Sequence, residues 1–435
     1  MHMKLLKSFC ISLGTKILVL FILLISRTLT ARMLGPENLG SVGNALNLTT
    51  IISRWGSLGI APATQFTGSK YPDQRNVLLI YVIAISLFLG LLNFLILIYF
   101  KDEIFVWHFN FDRYDQNLFL RFIPWLPVVI MSMTIPVLLL GLGQFKDYSF
   151  TQILPPLLQT TLICLAYNRL DSIDLIVFSQ LISWISAVVI ALFLFDYTNF
   201  SFQIERQLFL IYTKYALQAW PQVILQFGIA RFAILIGNHY LSSQDLGFYI
   251  LAANLSDSFL ILTASVTPVL FNQIALKGAD LAFLGRSIRF SNLFSLLIFT
   301  FVALLGKPVF LYFFGIIFAP SWNLLLLLLL SVVFNGMIRI CINYLAALEK
   351  NIAVSLIQGI QLCTLLVASS FTCPAFGLSG LCYASILASI SGFLFCLMIL
   401  KQLKERKELS IISLFLINRE DTKIIYAAVK QIRKS

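Results

Sequence analysis

Six ionisable side chains stand inside long apolar runs of this chain: Lys16, Arg27, Arg54, Arg231, Arg339 and Asp257. Hydrocarbon cannot hydrate a charge, so each needs a partner, a wet cavity or a route to the membrane surface. Five cations against one acid cannot all be neutralised internally. Either most of them snorkel towards the headgroups, or the protein encloses a cationic cavity.

Spacing narrows the choice. Lys16 and Arg27 are eleven residues apart and return to within about 20° of one helical face. Asn47, Thr50, Arg54 and Ser57 follow intervals of 3, 4 and 3, and Asn335, Arg339 and Asn343 follow intervals of 4 and 4. Such polar stripes on apolar helices point to a bundle interior or a water-filled space. Lys16, Arg27 and Arg231 lie near run ends, where snorkelling competes; Arg54 lies mid-run, where a cavity is favoured. Arg339 has structural pairing as its alternative. Asp257 reads as a neutralising partner for an arginine or as a carboxylate that couples transport to an ion.

The elements that must position these groups follow from composition. Of 435 residues 59% are hydrophobic and 11% charged, with a mean hydropathy of +0.91, which indicates an all-α polytopic membrane protein. The surplus of twelve positive charges lies mainly in short connectors and at the chain ends, which argues against nucleic acid as a partner. The seven cysteines fall in or beside apolar runs without regular spacing, as small core residues do. The basic, apolar start has no small-residue cleavage site and reads as a retained first span.

Runs long enough to cross about 30 Å at 1.5 Å per residue number about twelve. They cover 9–33, 39–66, 77–100, 121–143, 148–168, 174–195, 213–237, 246–272, 288–314, 322–348, 352–373 and 376–400. The second and eighth are the most polar. With the amino terminus inside, inner segments hold twenty Lys and Arg and outer segments six (Arg32, Lys101, Arg113, Arg121, Arg169, Lys307), so both termini are expected in the cytoplasm. The expected organisation is an amino-terminal bundle of six helices (1–198), an amphipathic linker (199–212), a second six-helix bundle (213–400) and a basic tail (401–435).

A shift of 207 residues lays LGPENLGSVGNALNL (34–48) on LSSQDLGFYILAANL (241–255). It pairs Leu34 with Leu241, Leu39 with Leu246, Gly40 with Gly247, Ala45 with Ala252, Asn47 with Asn254 and Leu48 with Leu255. A repeat containing six spans gives halves of parallel topology, related by a pseudo-two-fold axis along the membrane normal, with a ligand expected between them.

A first helix ending in ARMLGPENLG, followed by the polar second helix SVGNALNLTTIISRWGSLGIAPATQF, resembles the Wzx-type polysaccharide and O-antigen flippases of the MOP superfamily. The resemblance implies a MATE-like V of two bundles in a bacterial inner membrane. These would move an undecaprenyl-diphosphate-linked oligosaccharide from the inner to the outer leaflet, with a polysaccharide polymerase and a chain-length regulator as associated proteins. It also implies a cationic cavity, for which Arg27, Arg54 and Arg231, with Arg339 and Lys16, stand as substrate-binding candidates. Guanidinium groups offer a diphosphate charge-assisted, bidentate hydrogen bonds, while Asn44, Asn47, Asn254, Asn335, Gln222 and Gln226 are candidates to line the sugar path.

Chemistry of other kinds has little support. His2, His108 and His239 are isolated, no HExxH or GxxxxGK[ST] occurs, and Asp112 and Asp115 read as loop charge. No catalytic residue, metal or cofactor is therefore expected, H⁺ or Na⁺ being the candidate coupling ions. The alternatives are a MATE-like ion-coupled antiporter, which should prefer acids in its cavity, and a polysaccharide polymerase or glycosyltransferase.

Overall fold

Backbone polar groups that lipid cannot satisfy must bond within their own segment, and apolar runs of this length therefore fold as helices. The computed structural model describes residues 2–100, 113–166, 172–197, 205–260 and 281–402, and those residues form helices joined by short turns. In chain order they are α1 (His2–Gly56), α2 (Ile60–Lys70), α3 (Arg75–Tyr99), α4 (Arg113–Phe122), α5 (Leu126–Gly141), α6 (Phe145–Ala166), α7 (Ser172–Leu194) and α8 (Arg206–Tyr240). There follow α9 (Ser243–Ser258), α10 (Leu281–Phe314), α11 (Ala319–Ala347), α12 (Asn351–Phe376) and α13 (Leu378–Gln402).

Nine helices among the described residues are long and apolar enough to cross a membrane. Phe88, Leu95, Phe193, Phe301 and Leu304 point outward with more than half of their surface exposed, as lipid-facing side chains do. This is a multi-pass membrane protein.

Two departures from the expected spans matter for the site. The first and second spans run on as α1, broken only at Gly35, whose φ of 67° and ψ of 177° leave the helical region directly before Pro36. Only glycine adopts that backbone easily. The expected second span is itself discontinuous: Leu58 and Gly59 have φ of 49° and 76°, and the chain resumes as α2 at Ile60. Residues 206–212, read from sequence as linker, are the first turns of the continuous 35-residue α8.

Elements before residue 198 pack chiefly on one another (α3 on α5, α6 on α7, α1 on α4 and α6), and those after 205 do likewise (α12 on α13, α11 on α10 and α13, α8 on α12). The two sets are joined where α1 meets α8 and α9 and where α2 meets α8. Near Gly35, Ala31 shares a core with Ala233, Ile234 and Leu246. Towards the opposite end, Ile60, Ala63 and Phe66 of α2 share one with Tyr212, Tyr215 and Ala219 of α8.

Candidate functional site

The repeat seen in the sequence is a contact in space. There is no room for a Cβ on Gly40, because the Ser243 carbonyl occupies it, and none on Gly247, because the Pro36 carbonyl does. Under the shift of 207 Pro36 is the equivalent of Ser243 and Gly40 of Gly247, so the two contacts are copies of one another. Small residues allow backbones to approach this closely. The second arm of α1 and α9 thus form a seam between the halves at the Gly35 end.

Two arginines of the first arm of α1 reach across this seam. Arg27 Nη1 donates to the backbone carbonyl of Asn254 and to Ser258 Oγ at 2.5 Å, and the Ser258 hydroxyl donates to the same carbonyl at 2.9 Å. Arg32 Nε donates to the Phe313 carbonyl at 2.6 Å and its Nη2 to that of Tyr312 at 2.5 Å. Asn254 lies in the last turns of α9, and Phe313 in the last turn of α10. Both guanidinium groups therefore sit near helix C-termini, where the helix dipole favours a cation, and the Tyr312 and Phe313 carbonyls held by Arg32 lack intrahelical donors.

Arg27 lies on the first arm of α1, eight residues before Gly35, and Arg54 on the second, nineteen residues after it. The Arg54 guanidinium carbon stands 4.7 Å from the centroid of Phe227 on α8, a cation–π contact worth roughly 0.5–2 kcal/mol. Tyr148, at the start of α6, lies close enough to feel its charge. Beside it, Trp55 meets Phe232 edge to face at 5.7 Å and accepts on its carbonyl the Trp220 indole N–H at 2.8 Å. The adjoining helix break rests on α8: a Cβ on Gly59 would lie 2.9 Å from Trp220 N. Arg54 is thus held between the two halves.

Arg339 and Asp257 are close enough to interact electrostatically. On the same helix as Arg339, Asn343 donates to the Arg339 carbonyl at 2.8 Å, and Asn335 accepts from Gln361 at 3.1 Å. Asn44 and Asn47 are buried on the second arm of α1, and Gln222 is buried on α8 whereas Gln226 is exposed. The side chains of Lys16 and Arg231 lie outside the described residues, as do Asp112, His108 and the tail after 402.

The structure thus brings Arg27 to Asn254, Arg339 to Asp257 and Arg54 to Phe227. Sequence reasoning missed Phe227, Trp220 and Arg32. Trp220 and Phe227, two helical turns apart on α8, are the signal that could have marked an aromatic face opposite Arg54.

At the Lys70 end the halves also touch. Phe66 stacks on Tyr215 with centroids 4.1 Å apart and planes at 6°, Thr64 and Tyr212 share a hydrogen bond of 2.9 Å, and Lys70 pairs with Glu349 at 3.2 Å.

Comparison with known proteins agrees with the fold. Residues 29–323 match the model of a family described as polysaccharide biosynthesis protein. No curated protein matches the chain in sequence. Among solved structures, a MATE protein in complex with MaL6 superposes with a TM-score of 0.70 at 15% identity, over 92% of this chain and 97% of that one. The eukaryotic MATE transporter AtDTX14 gives 0.70 at 13% identity over 93% and 97%. A MOP superfamily transporter from Pyrococcus furiosus, described in the words "reverse polarity of binding pocket suggests different function", gives 0.67 at 15% over 92% and 96%.

Proposed function

The chain belongs to the polysaccharide biosynthesis protein family and has the fold of MATE-type membrane transporters, and on that premise we propose that it is a flippase for an undecaprenyl-diphosphate-linked oligosaccharide. It acts in a bacterial inner membrane and moves this lipid from the inner to the outer leaflet by alternating access. Both termini are cytoplasmic in this reading, so the Gly35 end faces outward and the Lys70 end inward.

The observation that carries the reading is Arg54, a guanidinium held at membrane depth between the two halves over Phe227. A diphosphate leaving the headgroup layer loses water, and fixed guanidinium donors replace it with charge-assisted hydrogen bonds. Arg27 and Arg54 reach different helices of the second half, α9 and α8. They act in sequence, as two stations on one route, and a route with several sites releases what it binds. Arg339, Lys16 and Arg231 extend the cationic set, and Asn44, Asn47, Asn254, Asn335, Gln222 and Gln226 face the sugars. Asp257 serves as counter-ion to Arg339 and as the candidate group for H⁺ or Na⁺ coupling. A polymerase and a chain-length regulator consume the product outside.

The Pyrococcus furiosus transporter, described as having a binding pocket of reverse polarity that suggests a different function, supports the reading that a MATE-like frame can serve another task. In cells, Arg54→Gln at wild-type protein level should accumulate lipid-linked oligosaccharide in the inner leaflet. Surface polysaccharide at the wild-type rate in that variant would refute the assignment.

A further inference from the structure

The end of α9 carries three polar side chains on one face. Asn254, Asp257 and Ser258 follow intervals of 3 and 1, and residues three and four apart are neighbours on a helix surface. Arg27 of the first half reaches this face through the Asn254 carbonyl and the Ser258 hydroxyl, so the face looks into the space between the halves. Asp257 is exposed there, while Arg339, close enough to interact with it, is half-buried. A carboxylate that only balanced a half-buried arginine would be enclosed with it; this one keeps its surface open. The Asn254 side-chain amide beside it makes no hydrogen bond among the described residues. The repeat equivalents in the first half are Asn47, Thr50 and Ile51, so the carboxylate occurs on one side only.

We propose that this face is a sugar-binding subsite, in which Asp257 accepts hydrogen bonds from hydroxyls of the cargo glycan and Asn254 and Ser258 supply the neighbouring polar contacts. This deepens the flippase reading and rests on it. An ionised carboxylate accepts hydrogen bonds and donates none, so it repels a diphosphate and suits a ligand rich in hydroxyl donors. A hydrogen bond to a charged acceptor is roughly twice as strong as one between neutral groups. Charge then divides the cargo between two kinds of partner: the guanidinium groups of Arg27 and Arg339 take phosphate oxygens, and the carboxylate set near them takes the sugar. A site built to bond a hydroxyl disfavours a ligand that lacks it. Asp257 is in this way a specificity-determining residue, and the subsite distinguishes carrier lipid loaded with sugar from the bare diphosphate.

Native mass spectrometry of the full chain in lipid nanodiscs tests this, with undecaprenyl diphosphate and undecaprenyl diphosphate bearing one N-acetylglucosamine as the two probes and the ratio of their apparent affinities as the readout. The wild type should hold the sugar-bearing probe roughly tenfold more tightly, the scale of one hydrogen bond to a charged group. Asp257→Asn should abolish that difference, and Asn254→Ala, which keeps the backbone carbonyl that Arg27 holds, should reduce it. A wild type that holds both probes equally would overturn the subsite while leaving the flippase reading intact. A ratio that survives in Asp257→Asn would overturn it too, since a carboxylate serving only as counter-ion or in ion coupling shifts both probes alike. A wild type that binds neither probe overturns both. The wild-type ratio requires no substitution, so a variant that fails to fold leaves the test standing.

Discussion

Gly43 and Ile250 are equivalent positions of the 207-residue repeat and meet each other across the seam, the isoleucine Cδ1 standing 3.0 Å from where a glycine Cβ would be. A residue that meets its own equivalent lies on the axis relating the two halves. The flanking contacts, Gly40 with Ser243 and Pro36 with Gly247, are two-fold copies of one another around that point. The contacts where α1 crosses α9 are thus arranged as a local pseudo-two-fold about Gly43 and Ile250.

Substitutions at these glycines should sort by what their new Cβ meets. Gly40→Ala and Gly247→Ala drive a methyl group into backbone and should each destabilise the protein by about 1–3 kcal/mol. Gly43→Ala meets only side-chain atoms of Ile250, at 3.0 Å or more, and should cost less, about 1 kcal/mol. Thermal unfolding in detergent should separate the first two from the third, and equal losses at all three positions would remove the distinction.

Arg54 should tolerate Lys poorly despite the retained charge. An ammonium group cannot lie flat on Phe227 or donate in a planar fork to a diphosphate. The expected order of glycan export is wild type, then Phe227→Leu, then Arg54→Lys, then Arg54→Gln, at matched protein level. Export by Arg54→Lys equal to the wild type would show that charge alone is used.

Closure at the Lys70 end should depend on rings rather than ions. Lys70 and Glu349 have side chains 50% and 58% exposed, and such a pair contributes about 0–1 kcal/mol. Tyr215 is buried against Phe66, and Tyr215→Ala removes a core ring at a cost of about 3 kcal/mol. Lys70→Gln should leave the unfolding temperature nearly unchanged while Tyr215→Ala lowers it by several degrees; the reverse order would contradict this account.

Orientation has a separate check. A green fluorescent protein fused after Ser435 should fluoresce, as it does only in the cytoplasm, and an alkaline phosphatase inserted after Glu37 should be active, as it is only outside. Opposite results would invert the two ends and with them the direction of transport.

Much of the frame was legible in the sequence because it is written locally. Runs of apolar residues set the helices, Gly35 and Pro36 mark the break within α1, and Gly40 and Gly247 carry the repeat. The break at Leu58 and Gly59 was not read, because it lies within a stretch of apolar and small residues; its cause is the close approach of α8 at Trp220, a contact between residues more than 150 positions apart. For the same reason Arg32 looked like a rim charge. Its acceptors, Tyr312 and Phe313, are 280 and 281 residues away. The stripe of Asn47 and Arg54 was visible by helical spacing, but the aromatic side chains that complete its surroundings come from another half of the chain, and periodicity within one helix cannot reveal them.

The central claim is movement of a diphosphate-linked glycolipid through arginines placed between two halves. Its most direct measurement uses the purified chain in liposomes loaded with labelled undecaprenyl-diphosphate oligosaccharide, following the fraction open to an external glycan-cleaving enzyme over time. The wild type should bring the protected half of the label into reach well above the protein-free rate, and Arg54→Gln should fall close to that background. Transbilayer movement by the wild type no faster than protein-free liposomes, or unaffected by Arg54→Gln, would contradict the account.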